Sequence, residues 1–294
     1  MSKIIDEIKK GRVLVSDGAW GTFLHKKGLK PGECPEMWNI QHPVAVFEIA
    51  QSYIEAGADM IETNSFGGSR YKLANYGFED KVFELNKTAA EISRKAAGSD
   101  HFVLGSVGPT GKLLMMDEVT ENELYVAFKE QSMALEAGGA DAIVIETMTD
   151  LDEARIAVRA AVENTACEVF CTMTFDKTVN GEYRTMMGIS PTEMTETLIE
   201  AGASVIGANC GNGIADMISI VEEIRQVNTT IPILIHANAG RPNYSEGETT
   251  FPDSPTDMAG RVKEIIEAGA NIIGGCCGTT PDHICQIHHV VKSL

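Results

Sequence analysis

The chain has 294 residues, 44% hydrophobic and only 6% aromatic, enough to bury a large aliphatic core of Ala, Ile, Val, Leu and Met. Its 42 acidic against 24 basic residues leave a formal charge of −18, which repels polyphosphate and anionic headgroups and speaks against nucleic-acid or membrane-surface partners. No apolar run approaches the roughly 20 residues of a membrane span, and Met1 to Arg12 is charged and amphipathic without the apolar centre of a signal peptide, so a cytoplasmic protein is expected.

Taken in order, the chain begins with a helical segment over residues 1 to 10, expected to cover one mouth of the fold. Strand-like runs follow at Val13 to Ser16, Phe102 to Gly105, Val169 to Met173 and Ile231 to Ile235. Between them one phrase recurs four times: Glu55-Ala56-Gly57-Ala58-Asp59, Glu136-Ala137-Gly138-Gly139-Ala140-Asp141, Glu200-Ala201-Gly202-Ala203-Ser204 and Glu267-Ala268-Gly269-Ala270-Asn271, each running into an apolar strand. The phrase joins a helix end, a glycine suited to a left-handed C-cap, and a strand. Helical periodicity covers Val44 to Ala56, Asp80 to Ala97, Thr120 to Glu136, Pro191 to Ala201, Ile214 to Val227 and Ser254 to Ala268. Eight strands alternating with helices and no linker break predict a parallel (β/α)8 TIM barrel in one domain, residues 1–294, with a doubly wound open sheet as the alternative.

In such a barrel the chemistry gathers at the carboxyl ends of the strands. Strand one ends in Asp17-Gly18-Ala19-Trp20-Gly21-Thr22, strand two in Glu62-Thr63-Asn64, strand three in Gly108-Pro109-Thr110-Gly111 and strand four in Glu146-Thr147. Strand six ends in Asn209-Cys210-Gly211, strand seven in His236-Ala237-Asn238, and strand eight in Gly274-Gly275-Cys276-Cys277-Gly278. Strands six and eight are next-but-one neighbours, so at about 4.8 Å per strand their ends lie within roughly 10 Å. Three thiolates there would make most of a tetrahedral zinc shell with one position open to water or substrate. The alternatives are small core hydrophobes or a strained Cys276–Cys277 disulfide. Seven cysteines, an odd number in or beside apolar runs, suit a reducing compartment. Cys34, Cys167, Cys171 and Cys285 lack a strand-end placement and are read as structural or incidental. His236 has no second histidine nearby in sequence and is read as a satisfied core group. Glu62 is read as an acceptor for loop amides, and Met115-Met116 as an apolar lip.

These motifs, in this order, resemble the homocysteine S-methyltransferase family over about residues 10 to 290, most of all the homocysteine-binding barrels of its cobalamin-linked members. The resemblance implies that Cys210, Cys276 and Cys277 are zinc ligands. It implies that Asp17, Gly18 and Ala19 form the loop holding the amino acid, that Glu146 receives its ammonium, and that Asn238 lies beside the metal. Asp17 has the alternative of orienting its own glycine loop, and Ala237 departs from the proline often found before that asparagine. The implied reaction is zinc-dependent methyl transfer to L-homocysteine, giving methionine. With the chain read to Leu294, the methyl donor is expected in trans, on a methylcobalamin-bearing corrinoid protein. S-methylmethionine, betaine and a methylfolate-derived group are the other donors. The rivals are a related zinc methyltransferase with another thiol acceptor or a corrinoid acceptor, a zinc hydrolase, disfavoured because this rim offers thiolates rather than imidazoles, and a non-catalytic zinc-binding subunit.

Overall fold

The computed structural model describes residues 3–245 and 248–294. Eight parallel strands, β1 (Leu14–Val15), β2 (Met60–Glu62), β3 (Phe102–Val107), β4 (Ala142–Met148), β5 (Glu168–Met173), β6 (Val205–Gly213), β7 (Ile233–Asn238) and β8 (Ile272–Gly275), form one sheet in the order β1-β8-β7-β6-β5-β4-β3-β2. Helices fill the connections, and the sequential strand order with β1 paired to β8 is that of the predicted TIM barrel rather than of the open-sheet alternative. The two ends of the sheet, β1 and β2, are joined by individual bonds rather than a ladder. Asp59 N–H donates to Val15 O at 2.7 Å, Val15 N–H to Asp59 Oδ2 at 2.8 Å, and Glu62 N–H to Asp17 Oδ2 at 2.9 Å.

The recurring phrase explains the regular spacing. Gly57, Gly139, Gly202 and Gly269 all take positive φ, from 97° to 119°, where a Cβ is disfavoured, and turn each helix end back toward the sheet. The polar residue that follows then starts a strand. Val15, Val103 and Ile233 donate their N–H groups to the side chains of Asp59, Asp141 and Asn271, at 2.8, 2.8 and 3.0 Å. Each phrase therefore ends a helix, and three of the four also cap the amino end of the barrel between neighbouring strands.

Inside the barrel, Leu14, Leu104, Val144, Phe170, Leu234 and Ile272 pack against Ile4 of the first helix, Ile4–Lys9. That helix closes the amino-terminal mouth, as expected from residues 1 to 10. Its first amides, Ile4 and Ile5, donate to the Glu168 carboxylate at 2.9 and 3.3 Å, which meets the orphan donors of a helix start with a negative charge. The larger core lies between the strands and the outer helices. No helix among the described residues is long and apolar enough to cross a membrane.

One expectation is corrected. The helix read over Ser254 to Ala268 is two helices, Pro255–Ala259 and Val262–Ala268, broken at Gly260-Arg261, where Arg261 N–H turns back to Met258 O at 3.1 Å. Glycine is a weak helix former, and the local i−3 bond replaces the helical one. Two short hairpins on the carboxyl rim, Asp176–Lys177 with Tyr183–Arg184 and Asn243–Ser245 with Glu248–Thr250, carried no alternation strong enough to be read from sequence.

Candidate functional site

Cys210, Cys276 and Cys277 come from the ends of β6 and β8, on either side of β7, and their sulfurs lie within 4.8 Å of one another. Cys210 Sγ and Cys277 Sγ are 3.9 Å apart. The paired thiols are tied to β7: Cys276 N–H donates to Ala237 O at 2.7 Å and Ala239 N–H to Cys277 O at 3.0 Å. An alanine at 237 therefore still docks the thiol loop, through its carbonyl. No disulfide forms among the described cysteines, so the bridge between Cys276 and Cys277 is absent. Cys34, Cys167, Cys171 and Cys285 stand outside this group.

Without a cation the three thiols compete for one negative charge. Hydrogen bonds from Cys276 and Cys277 hold the Cys210 thiol far below the ordinary range, while the same bonds to Cys210 hold Cys276 and Cys277 above it. A divalent ion is what would let all three ionise together, and a set of three soft sulfur donors suits zinc better than magnesium or calcium. The buried Asn238 side chain helps to hold the Cys210 thiol down, and its Oδ1 has no partner among the described residues. The residues present fit a metal centre.

The thiols open onto a cavity of about 290 Å³, which Gly18, Ala19 and Glu146 also line. Asp17 and Asn238 are not among its lining residues. The Asp17 carboxylate accepts from Trp20 Nε1 at 2.8 Å and from the Glu62 amide, so it holds its own loop against β2, the alternative kept open from sequence. Burial and the charge of Glu62 push Asp17 up to about 7. Glu146 is buried, accepts from Ser106 Oγ and from Asn209 Nδ2 (3.4 Å), and is raised well above the carboxylate range by burial and then by Glu62. Ala19 N–H donates to Thr279 Oγ1 at 3.1 Å, and Thr279 Oγ1 donates to Cys276 O at 2.7 Å. One hydroxyl thereby connects the first loop to the thiol loop.

With this geometry in place, a family model described as Homocysteine S-methyltransferase matches residues 14–291. The chain belongs to the homocysteine S-methyltransferase family. It is 33% identical over 295 residues to a methionine synthase of Mycobacterium leprae, a match covering 94% of this chain and 24% of that protein. A methionine synthase of Mycobacterium tuberculosis is 32% identical over 307 residues, covering 98% of this chain and 25% of that one. The chain spans about a quarter of the length of these curated relatives. The metallated form of the homocysteine methyltransferase MmuM from Escherichia coli shares the fold, with a TM-score of 0.79 at 21% identity over 97% of this chain and 98% of that one.

Sequence reasoning passed over the residue that joins the two halves of this homocysteine S-methyltransferase-family site. Both β4 and β6 lose register near their carboxyl ends, after Ile145 against β5 and after Asn209 against β7. At these irregularities Thr147 and Cys210 each sit at φ 60°, a left-handed conformation costing a non-glycine residue on the order of 1–3 kcal/mol. The buried Asn209 side chain spans the gap. Its Oδ1 accepts from Thr147 N–H and Thr172 Oγ1, both at 2.7 Å, and its Nδ2 donates to Thr147 Oγ1 at 2.7 Å as well as to Glu146. The only sequence signal was its place beside Cys210. Asn209→Ala is expected to strand these buried partners, lowering stability by about 2–3 kcal/mol and homocysteine affinity about tenfold. Chemical denaturation and calorimetric titration measure the two effects, and an unchanged affinity would show that Asn209 does not position Glu146.

His236 and Glu62 also depart from their sequence reading. Both line the cavity, and neither is satisfied: His236 Nε2 and Glu62 Oε1 lack hydrogen-bond partners among the described residues.

Proposed function

We propose that this chain is an S-methyltransferase that binds zinc through Cys210, Cys276 and Cys277 and transfers a methyl group to the thiol of L-homocysteine, giving methionine. In this reading residues 1–294 form one methyltransferase barrel domain. The observation that carries it is the convergence of three thiols and a buried Glu146 on one cavity. Support comes from the family and from the two relatives named methionine synthase.

Zinc, when bound, supplies a Lewis acid that keeps a substrate thiol deprotonated, since a free thiol with a pKa near 8.5 is mostly protonated at neutral pH. The remaining work falls to the chain. Three thiolate donors make the centre electron-rich, which favours a nucleophilic substrate sulfur over one held by imidazoles. Glu146 accepts the ammonium group, and that cation lets the buried carboxylate ionise despite its desolvation. The loop at Gly18 and Ala19, pinned by Thr279 and by Tyr53, whose hydroxyl donates to Ala19 O at 2.8 Å, provides a rigid wall for the amino-acid end. Fixing that end leaves the sulfur facing the methyl donor in a near-attack arrangement. A new S–C bond forms as the donor–methyl bond breaks, and the donor keeps the bonding pair.

The donor in this reading is a methylcorrinoid carried by a protein. Apolar side chains on the carboxyl rim support an approach from that side: Met115 and Met116 are 69% and 64% exposed, and Leu114, Met115 and Met187 line a second hollow of about 430 Å³. The deciding experiment is X-ray absorption at the zinc edge with and without L-homocysteine, followed by methionine assay with methylcobalamin, S-methylmethionine, betaine and methyltetrahydrofolate. A three-sulfur shell that gains a fourth sulfur supports the proposal. A shell indifferent to homocysteine, or a protein that holds no zinc, overturns it.

A further inference from the structure

The cavity has a second polar feature that the zinc and Glu146 roles do not use. Glu62, from the end of β2, and His236, on β7, are 8% and 2% exposed, and their side chains approach at 3.4 Å between Glu62 Oε1 and His236 Nδ1. Both line the cavity. Glu62 Oε1 and His236 Nε2 are buried and, among the described residues, without a hydrogen-bond partner. Folded proteins rarely leave such atoms unpaired, because a buried orphan loses its water and gains nothing in return. Where two orphans face one cavity, a ligand is the natural partner.

The chemistry of the orphans defines the ligand. In the tautomer that carries its proton on Nδ1, the nitrogen 3.4 Å from Glu62 Oε1, His236 leaves Nε2 as an acceptor, so both atoms want donors. Burial lowers His236, which keeps the ring neutral, and burial raises Glu62 to about 8, so a cation is needed to ionise that carboxyl fully. No lysine or arginine is among the lining residues, whereas Glu36, Glu62 and Glu146 are. The positive charge must come with the ligand. A primary ammonium offers three donors and no acceptor, whereas a carboxylate or phosphate offers only acceptors. Glu146 already receives Ser106 Oγ and Asn209 Nδ2, while among the described residues the Glu62 carboxylate has only the 3.4 Å approach of His236.

We propose that Glu62, oriented by His236, is a second recognition group for the substrate ammonium, sharing it with Glu146 and restricting the site to thiols that carry a free amino group. This rests on the reading above that an amino thiol occupies the cavity. Glu62 touches the substrate in this scheme, and His236 Nε2 takes a remaining donor, either directly or through water.

The test compares two ligands on zinc-loaded protein by calorimetric titration: L-homocysteine, and 4-mercaptobutyrate, which keeps the thiol and carboxylate but lacks the amino group. Wild type is expected to prefer homocysteine at least tenfold. Glu62→Gln, which keeps the shape, should weaken homocysteine binding about 10- to 100-fold, the range for a hydrogen bond to a charged group, and leave 4-mercaptobutyrate within twofold. Zinc content should stay at the wild-type value. His236→Gln, with Glu62 in place, should show the same selective loss at smaller size, and it carries the test if Glu62→Gln does not fold. Homocysteine binding within twofold of wild type in the variant, or equal weakening of both ligands, overturns the proposal while leaving the methyltransferase reading intact. Wild type that holds zinc and ignores homocysteine overturns both.

Discussion

A Cys210→Ala protein is expected to fold normally, fail to retain stoichiometric zinc, and lose homocysteine binding with it. Cys210 is the thiol held lowest of the three, chiefly by its neighbours Cys276 and Cys277, the latter with its sulfur 3.9 Å away. In the proposed zinc centre, removing it leaves two thiols whose ionisation is already opposed, so the metal would lose a ligand and its most acidic partner together. Loss of an outer-shell partner costs metal sites roughly 10- to 100-fold in affinity, and loss of this ligand should exceed that range. Competition with a chromophoric chelator measures the change, and one zinc per chain at wild-type affinity would remove Cys210 from the centre. Cys210→Gly separates function from strain. At φ 60° glycine is relaxed where alanine is not, so the glycine variant should be about 1 kcal/mol more stable than the alanine variant while binding no more zinc.

The largest structural effect is expected at Gly207, near the start of β6. It pairs with Thr172 of β5 and Leu234 of β7, and a Cβ added there would lie 1.8 Å from the Leu234 carbonyl oxygen. The obstacle is backbone rather than a movable side chain, so either β6 or β7 must shift and part of the ladder must open. Gly207→Ala should therefore destabilise by more than about 4 kcal/mol, a size reached only when packing or a ladder is broken, and should also cost zinc affinity, because Asn209 and Cys210 follow on the same strand. Gly260→Ala is the matched control. It lies at the break between two helices with a helical φ of −59° and ordinary Cβ contacts of 3.4 Å or more, so alanine should stabilise by roughly 0.5–1 kcal/mol. Urea denaturation of the two variants measures both signs, and a Gly207→Ala midpoint near wild type would mean that the β6–β7 register is far more yielding than its geometry indicates.

The thiol centre was legible because each cysteine follows a short apolar run and is flanked by glycine, and because barrel topology turns strand number into proximity. Glu146 stood out for the same reason, at the end of β4. Asp17 was harder to place. Its carboxylate serves Trp20 and the Glu62 amide and closes the seam between β1 and β2, a role compatible with a loop whose backbone holds the amino acid. Glu62 and His236 were assigned quiet roles because hydrogen-bond satisfaction belongs to space and not to the chain: only the packed barrel shows that two residues far apart in sequence face each other with unpaired atoms. Asn209 escaped notice for a related reason. Its partners, Thr147, Thr172 and Glu146, lie on two other strands, and no local pattern announces them.

By itself, the order of amino acids determined the alternation of strand and helix, the four repeated helix-to-strand joints, the rim that carries the chemistry and the three thiols on it. These follow from local rules: apolar periodicity and glycine at positive φ. Tertiary structure alone decided how the sulfurs converge to within 4.8 Å, which carboxylates face the cavity and which close the seam, and where unpaired atoms await a ligand. Those properties depend on angles and distances between strands, set when the sheet closes on itself and its core packs.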